Sequence, residues 1–406
     1  MNIRGQLSDL LLFRPGPESI LSLLATDGRQ KEGLARLAAL GETLGLSGDL
    51  WRHYLTWELL TNENPWSLGC EGRGDQGGSL SALAEQDLAE YQALLGGSGL
   101  DDVWTHYETA VTTPAGEKVR SVSEQLGKAA SPAEAKAVLA EFYRSCGAGR
   151  FALDRAFRAG EAGALIPVRD MTPVYLSGLV GYEVQKGQLR ENTEAFLAGR
   201  EANHVLLYGD AGTGKSTCVR SLLSEYPDSP LRMIELRKNR FDALPELLAA
   251  LRQRRLRFIL FIDDLSFEEQ ETEYKSLKAA IEGGLETMPE NVLIYATSNR
   301  RHLVRETWND RSDMEFHGDV HRSDTVEEKL SLAARFGVTI SFSQPDRKLY
   351  HEIVKALAER ELPGGVDEAE LLLGANAWEI RHGGVSGRTA QQYIDHLAGE
   401  RVRNCP

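Results

Sequence analysis

Gly209-Asp210-Ala211-Gly212-Thr213-Gly214-Lys215-Ser216 matches the spacing G-x-x-x-x-G-K-(S/T) at every fixed position. Glycines let the backbone turn tightly, so that consecutive N–H groups face inward toward phosphate oxygens. Lys215 brings a positive charge to the β- and γ-phosphates, and the Ser216 hydroxyl is a Mg²⁺ ligand in this arrangement. Upstream, His204–Tyr208 is an apolar β-type run that leads straight into the loop. Downstream, Ser216–Glu225 reads as a helix, with Thr217 on its first turn, and its positive N-terminal end points at the same phosphates. Strand, loop and helix in that order predict a nucleotide site, with Gly209 through Thr217 as its cradle.

Some fifty residues further on, Phe258-Ile259-Leu260-Phe261-Ile262-Asp263-Asp264 is a wholly apolar run ending in two acids. Such a run suits a central parallel strand covered on both faces. Carboxylates at its C-terminal end stand where open α/β sheets bind ligands. Asp263 is the expected magnesium contact, through water, because Mg²⁺ keeps much of its hydration shell. Asp264 would polarise an attacking water. The alternative is that Asp264 or Ser266 merely caps the next helix.

Three stretches emerge from these two motifs. Residues 1–167 read as a mostly helical domain: Lys31–Leu44, Leu50–Leu60, Ser81–Leu95 and Pro132–Tyr143 repeat apolar residues at helical spacing, and the glycine-rich Pro65–Ser79 reads as a surface loop. Residues 168–343 alternate β-type runs (His204–Tyr208, Leu231–Leu236, Phe258–Ile262, Val292–Thr297, Val338–Phe342) with helical segments, the pattern of a parallel sheet flanked by helices. Residues 344–406 are helical again and suggest a small lid. The expected fold class is α/β, a parallel-sheet core with a C-terminal helical lid and a helical N-terminal domain.

Composition narrows the setting. The chain has 406 residues, too many for one comfortable core, with 42% hydrophobic and 26% charged residues as in soluble globular proteins. Its net charge of −14 argues against coating nucleic acid through the overall field. No apolar run approaches the roughly 18 residues of a membrane helix. Met1–Leu12 lacks a secretory pattern, and Cys70, Cys146, Cys218 and Cys405 show no C-x-x-C spacing. The expectation is a soluble cytoplasmic protein with no membrane partner.

With the phosphate loop and the acidic strand in place, the chain from about Leu179 onward resembles the AAA+ superfamily. Tyr295-Ala296-Thr297-Ser298-Asn299-Arg300 is similar to that superfamily's first sensor, an Asn at the tip of the strand beside the two-acid strand, which would place Asn299 near the lytic water. Leu332-Ala333-Ala334-Arg335-Phe336-Gly337 resembles the segment that presents an arginine finger to a neighbouring subunit. Gly384-Val385-Ser386-Gly387-Arg388 resembles the second sensor on a lid helix, putting Arg388 on the γ-phosphate. Leu179-Val180-Gly181-Tyr182 resembles the stretch that walls the adenine pocket, so Gly181 and Tyr182 join the expected site. The resemblance implies ATP as substrate, Mg²⁺ as cofactor, a homo-oligomer with Arg335 acting in trans, and remodelling of an unidentified protein client. Where the superfamily usually has Asp-Glu, this chain has Asp263-Asp264, so Glu268 stands beside Asp264 as the candidate for aligning water. The string Asp-Asp-Leu-Ser-Phe-Glu over 263–268, with Glu328-Lys329-Leu330-Ser331-Leu332, resembles a bacterial AAA+ family catalogued as domain of unknown function 815.

Other features carry weaker readings. Arg252, Arg254, Arg255 and Arg257, with Arg237, Lys238 and Arg240 nearby, could touch nucleic acid in the manner of a clamp loader or branch-migration motor; the blander reading is a solvated helix end. Arg300–Asp324 is long for a connection and suggests a partner-binding or subunit-contact insertion, and its histidines, His302, His317 and His321, lack metal-ligand spacing. Trp51, Trp57, Trp66 and Trp104 read as core or rim residues. A third possibility is an ATP-binding switch with little hydrolysis, favoured by the shorter Asp264.

Overall fold

The computed structural model describes residues 3–95, 102–267, 273–282, 287–299, 332–362 and 365–404. The chain divides into two compact units, one formed by Met1–Arg155 with Arg254–Leu256 and the other by Ala156–Gln253 with Arg257–Pro406.

The first unit is helical. Its helices include Gln30–Leu44, Leu50–Thr61, Gly78–Leu95, Pro114–Lys128 and Pro132–Cys146, wrapped around a core that contains Leu37, Leu50, Trp51, Tyr54, Leu88, Tyr91 and Tyr143. The predicted start at Pro132 holds: the Ser131 side chain accepts the Glu134 N–H, and Pro132 sits where its missing N–H costs nothing. The Pro65–Ser79 stretch is not all loop. Pro65–Cys70 is a short helix fixed by a capping box in which Asn64 accepts the Ser67 N–H and Ser67 accepts the Asn64 N–H. Glycine content hid this cap. Trp51 and Trp66 are buried, as core residues should be.

The second unit is a seven-stranded sheet with helices. Its strands are β1 (Ala156–Ala159), β2 (Leu165–Pro167), β3 (Val205–Gly209), β4 (Leu231–Glu235), β5 (Arg257–Ile262), β6 (Val292–Ser298) and β7 (Val338–Phe342). They lie in the order β2-β1-β4-β5-β6-β3-β7, all neighbours parallel except the β1–β2 pair. Residues 156–167, which precede the boundary drawn from the sequence, therefore form strands of this sheet. These strands are too short to show a period.

The apolar runs explain the central position of β5 and β6: every residue from Phe258 to Ile262 and from Val292 to Ser298 is buried. One face packs Leu189 and Phe196 of the helix Glu183–Leu197, and Val219 and Leu222 of the helix Lys215–Glu225, against Val205, Leu207, Ile259 and Tyr295. Past β7 come three helices, Arg347–Glu361, Glu368–Arg381 and Gly387–Asn404, with their own core of Tyr350, Val354, Leu371, Ala375, Ala390 and Ile394. The register matters for function. Parallel pairing of β5 with β6, and of β6 with β3, puts Asp263, Asn299 and the phosphate loop at one sheet edge, beyond the carboxyl ends of three adjacent strands.

Candidate functional site

At the end of β3, Gly209 has φ +129°, and an added Cβ would collide with the Phe342 carbonyl oxygen. Neither the backbone angle nor the neighbouring strand can yield, so this position takes only glycine. The loop closes on Gly214, left-handed at φ 92°, which serves as N-cap of the helix Lys215–Glu225. Lys215 is 6% exposed, and its Nζ donates to Gly209 O (2.8 Å), Asp210 O (2.6 Å) and Asn299 Oδ1 (3.2 Å). Burial pulls the Lys215 ammonium below its ordinary range; the charges of Asp210, Asp264 and Asp263 push back, and the Arg388 charge adds to the lowering. Ser216 and Thr217, half-buried, occupy the first turn of the helix.

The two acids end β5 in different settings. Asp263 Oδ1 accepts from Ser216 Oγ at 2.5 Å and from Thr297 Oγ1 at 2.6 Å, while Oδ2 accepts from Arg220 at 3.0 Å. Asp264 is left-handed at φ 53°, its N–H donating to Thr297 Oγ1 (2.9 Å) and its Oδ1 accepting from Asn299 Nδ2 (2.9 Å). Positive φ in a non-glycine residue at a ligand edge is stored strain, held here by Thr297 and Asn299. Asn299 thus joins Lys215 on its oxygen to Asp264 on its nitrogen. Glu268 lies outside the described residues.

Arg388 enters from the lid side. Its backbone N–H donates to Gly212 O at 3.3 Å, Gln344 N–H donates to Asp210 Oδ2 at 2.7 Å, and Gln344 Nε2 donates to Val385 O at 3.0 Å. These bonds bound a cavity of about 350 Å³ lined by Asp210, Ala211, Gly212, Gln344, Ser386 and Arg388. Close by, Tyr182 (φ 59°) donates its hydroxyl to Ser343 O at 2.8 Å and sets its ring 5.2 Å from that of Phe342. Burial, then the Asp210 charge, pushes the Tyr182 phenol up to about 12. Gly181 packs so closely on Leu349 that an added Cβ would lie 2.6 Å from it.

Arg335 is elsewhere. It is exposed in the turn before β7, at the end of that strand opposite the phosphate loop, since β7 runs parallel to β3 with Val338 beside Val205. The chain does not bring its own Arg335 to its own loop.

The basic run is divided between one buried member and exposed or half-buried ones. Arg254 is 8% exposed and donates to Glu71, Glu63 (2.9 Å) and Ala148 O (2.5 Å), with its guanidinium 4.7 Å from the Phe151 ring centre. Arg252 donates to Thr287 O, Arg257 to Glu290 O, Lys238 to Ser266 O, and Arg240 to Glu161. Arg237, Arg252 and Arg255 stay exposed, Arg252 in the last turn of its helix as the solvated reading has it, and Arg254 is the buried member of the run. Arg300–Asp324, with His302, His317 and His321, lies outside the described residues. Among the described residues no cluster of His, Cys, Asp or Glu could hold a metal by itself, and no helix is long and apolar enough to cross a membrane.

A family model described as "Protein of unknown function (DUF815)" matches residues 152–401, more than half of the chain. The chain belongs to this family. The match begins just before β1 and takes in the whole sheet and most of the helices after β7, so it covers the candidate site and leaves residues 1–151 outside. Within it the fold is α/β, a mostly parallel sheet with helices, in which β6, whose end carries Asn299, lies beside β5, whose end carries the two acids.

No curated protein matches the DUF815 chain. Among solved structures, it is similar to RuvB of Thermotoga maritima, titled a Holliday junction branch migration motor, at TM-score 0.39 and 20% identity over 57% of this chain and 65% of that one. A point variant of the same RuvB aligns at TM-score 0.39 and 20% identity over 58% and 66%. The DUF815 chain therefore spans less than two thirds of the length of these structures.

Sequence reasoning missed three residues. Thr297 links both acids, but a hydroxyl inside a buried strand looks like strand filler. Arg220, one helical turn after Ser216, pairs with Asp263; its spacing from Ser216 was the available signal. Gln344 ties Asp210 of the loop to the lid side, and nothing in sequence pairs residues so far apart.

Proposed function

We propose that this protein is a Mg²⁺-dependent AAA+ ATPase that couples ATP binding and hydrolysis to remodelling of a macromolecular client, with the helices before β1 as adaptor, the sheet from β1 to β7 as motor core and the helices after β7 as lid. The observation that carries this reading is the convergence of Lys215, Asn299 and Asp264 on one side of the phosphate loop with Ser216 and Asp263 on the other. The donor set fits the metal: a hydroxyl and a carboxylate already meeting at 2.5 Å are hard oxygen ligands. When bound, Mg²⁺ would neutralise phosphate charge and fix the triphosphate in line for attack. Gly209 through Thr217 would cradle the phosphates with backbone N–H groups, and Gly181 and Tyr182 would wall the base. Lys215, freed from its loop carbonyls, would follow the γ-phosphate, while Asp264, steered by Asn299, would orient water. Arg388 would add charge from the lid.

The position of Arg335 supports action in trans. At the far end of β7 it serves a neighbour's phosphate loop or none, which favours a homo-oligomer. A low-turnover switch is the second reading, and one observation favours it: the Asp264 carboxylate is engaged by Asn299, so it must be released before it can orient water. The deciding experiment is phosphate release across a protein concentration series, beside Lys215→Ala and Arg335→Ala. Activity per subunit that rises with concentration, and is lost in both variants while Arg335→Ala still binds ATP, supports the assembled motor. Tight ATP binding with negligible turnover at every concentration would favour the switch.

A further inference from the structure

The first unit contains a cavity of about 620 Å³ that the ATPase reading does not use. Ile20, Leu40 and Trp57 give it apolar walls, and Glu58 contributes a carboxyl from the helix Leu50–Thr61. Glu58 is only 8% exposed. Its Oε2 accepts a hydrogen bond from the Tyr54 hydroxyl at 3.2 Å, and its Oε1 has no partner among the described residues. The other charged groups lining the cavity are spoken for. Arg36 donates to the Glu18 carbonyl (2.8 Å) and to Glu32 (2.6 Å), and Glu63 is held by Arg254 at 2.9 Å. A buried carboxyl without a counter-charge is costly, and burial indeed holds the Glu58 pKa above its ordinary range against the smaller effect of Tyr54.

We propose that this cavity is a binding site for a primary ammonium group on an apolar stem, with Glu58 as its counter-charge and Trp57, Leu40 and Ile20 enclosing the stem. Charge decides the sign of the ligand: Glu18 is paired with Arg29 and Arg36, Glu63 with Arg254, and Glu58 is the lining carboxyl with no arginine partner, so the open charge of the space favours a cation. Geometry decides the head group. One available carboxylate oxygen suits a compact point charge, whereas a guanidinium needs a two-oxygen fork to be well bound. The partly exposed Trp57 indole adds attraction for a cation over its face. A free alkylamine and a lysine side chain of a client protein share this chemistry. The proposal is independent of ATP hydrolysis.

The test is titration of the full-length protein with n-butylammonium chloride, followed by saturation-transfer NMR, with n-butanol as the neutral match. A blocked peptide with one lysine, beside its norleucine counterpart, separates the two sources. Two variants accompany it: Glu58→Gln, which keeps shape and removes charge, and Ala39→Phe, which fills the cavity from an exposed lining position. Saturable butylammonium binding is expected, weakened about tenfold in Glu58→Gln as a charge-assisted hydrogen bond becomes a neutral one, and lost in Ala39→Phe. Tighter binding of the lysine peptide than of butylammonium assigns the site to a client side chain; the reverse assigns it to a free amine. Equal binding of butanol and butylammonium would overturn the proposal. So would wild-type affinity in both variants, or the absence of binding by both ammonium probes.

Discussion

Lys215, Asn299 and Asp264 form a string in which one amide serves two opposite charges. The Asn299 oxygen accepts from the lysine at 3.2 Å and its nitrogen donates to the aspartate at 2.9 Å. Alanine at 299 removes both contacts yet leaves the cradle of backbone N–H groups intact. We therefore expect Asn299→Ala to lower ATP turnover by about 100-fold or more, the usual loss when one oriented polar group is removed from a reacting centre. ATP affinity, measured by calorimetry, should change little. Asn299→Asp is the sharper probe, because it keeps the shape but sets a second negative charge against Asp264, and it should be equally inactive. If affinity and turnover fall together in both variants, Asn299 is a prop of the loop, and its proposed role at the lytic water fails. Asp264 tells a related story about chain geometry: its left-handed backbone aims the shorter carboxylate at Asn299, which no count of methylenes in the sequence reveals.

At the scale of elements, β3 depends on both of its ends. His204 precedes the strand and accepts the Ile294 N–H of β6 on its Nδ1 at 3.0 Å. Burial lowers this imidazole from 6.5 to about 4, so the folded chain keeps it neutral where the unfolded chain would protonate it. The unfolded state binds the extra proton, so the contribution is whole above pH 6.5 and is lost as pH falls through about 4. Hydrogen exchange at the Ile294 amide should accelerate across that window, and a His204→Asn variant should show a flatter profile. At the other end, Gly209→Ala should cost about 2 kcal/mol or more in urea unfolding, since strain at positive φ and a backbone clash add together. The five strands β3 to β7 were legible in the sequence because each is an apolar run bounded by turn or charge residues. The turn from β3 into the helix Lys215–Glu225 was legible because its fixed glycines mark a tight loop between an apolar run and a helical one. By contrast, β1 and β2, at four and three residues, are too short to declare a period. The helix Glu183–Leu197 begins on a left-handed tyrosine rather than a recognisable cap. Within the Arg252–Arg257 run, charge alone did not single out Arg254 as the buried member, because charge in sequence says nothing of burial.

For the whole molecule, that run holds the more consequential lesson. Between the helix Leu244–Arg252 and β5, the chain gives three residues, Arg254–Leu256, to the first unit. The Arg254 and Glu71 side chains are 6% and 1% exposed, and Ala148 N–H (2.9 Å) and Arg255 N–H (3.3 Å) also donate to Glu71. Glu63 shares the same guanidinium. Burial pushes its carboxyl up, but the Arg254 charge and hydrogen bond outweigh that and hold it below its ordinary 4.5. Its contribution is therefore complete above pH 4.5 and is lost as pH falls through the lower folded value. Residues 1–155 alone would thus lack a group that their own core requires. A fragment ending at Arg155 leaves Glu71 buried without its cation, at an expected cost of about 3–5 kcal/mol relative to the same unit in the intact chain. Glu71→Gln gives the decisive comparison, because removing the charge should act with opposite sign in the two settings. In the intact chain it breaks the pair and lowers the urea midpoint of the helical unit; in the fragment it removes an uncompensated charge and raises it. A fragment as stable as the unit in the intact chain, or a Glu71→Gln effect of the same sign in both, would mean that Arg254 merely rests against the helical unit and does not complete it.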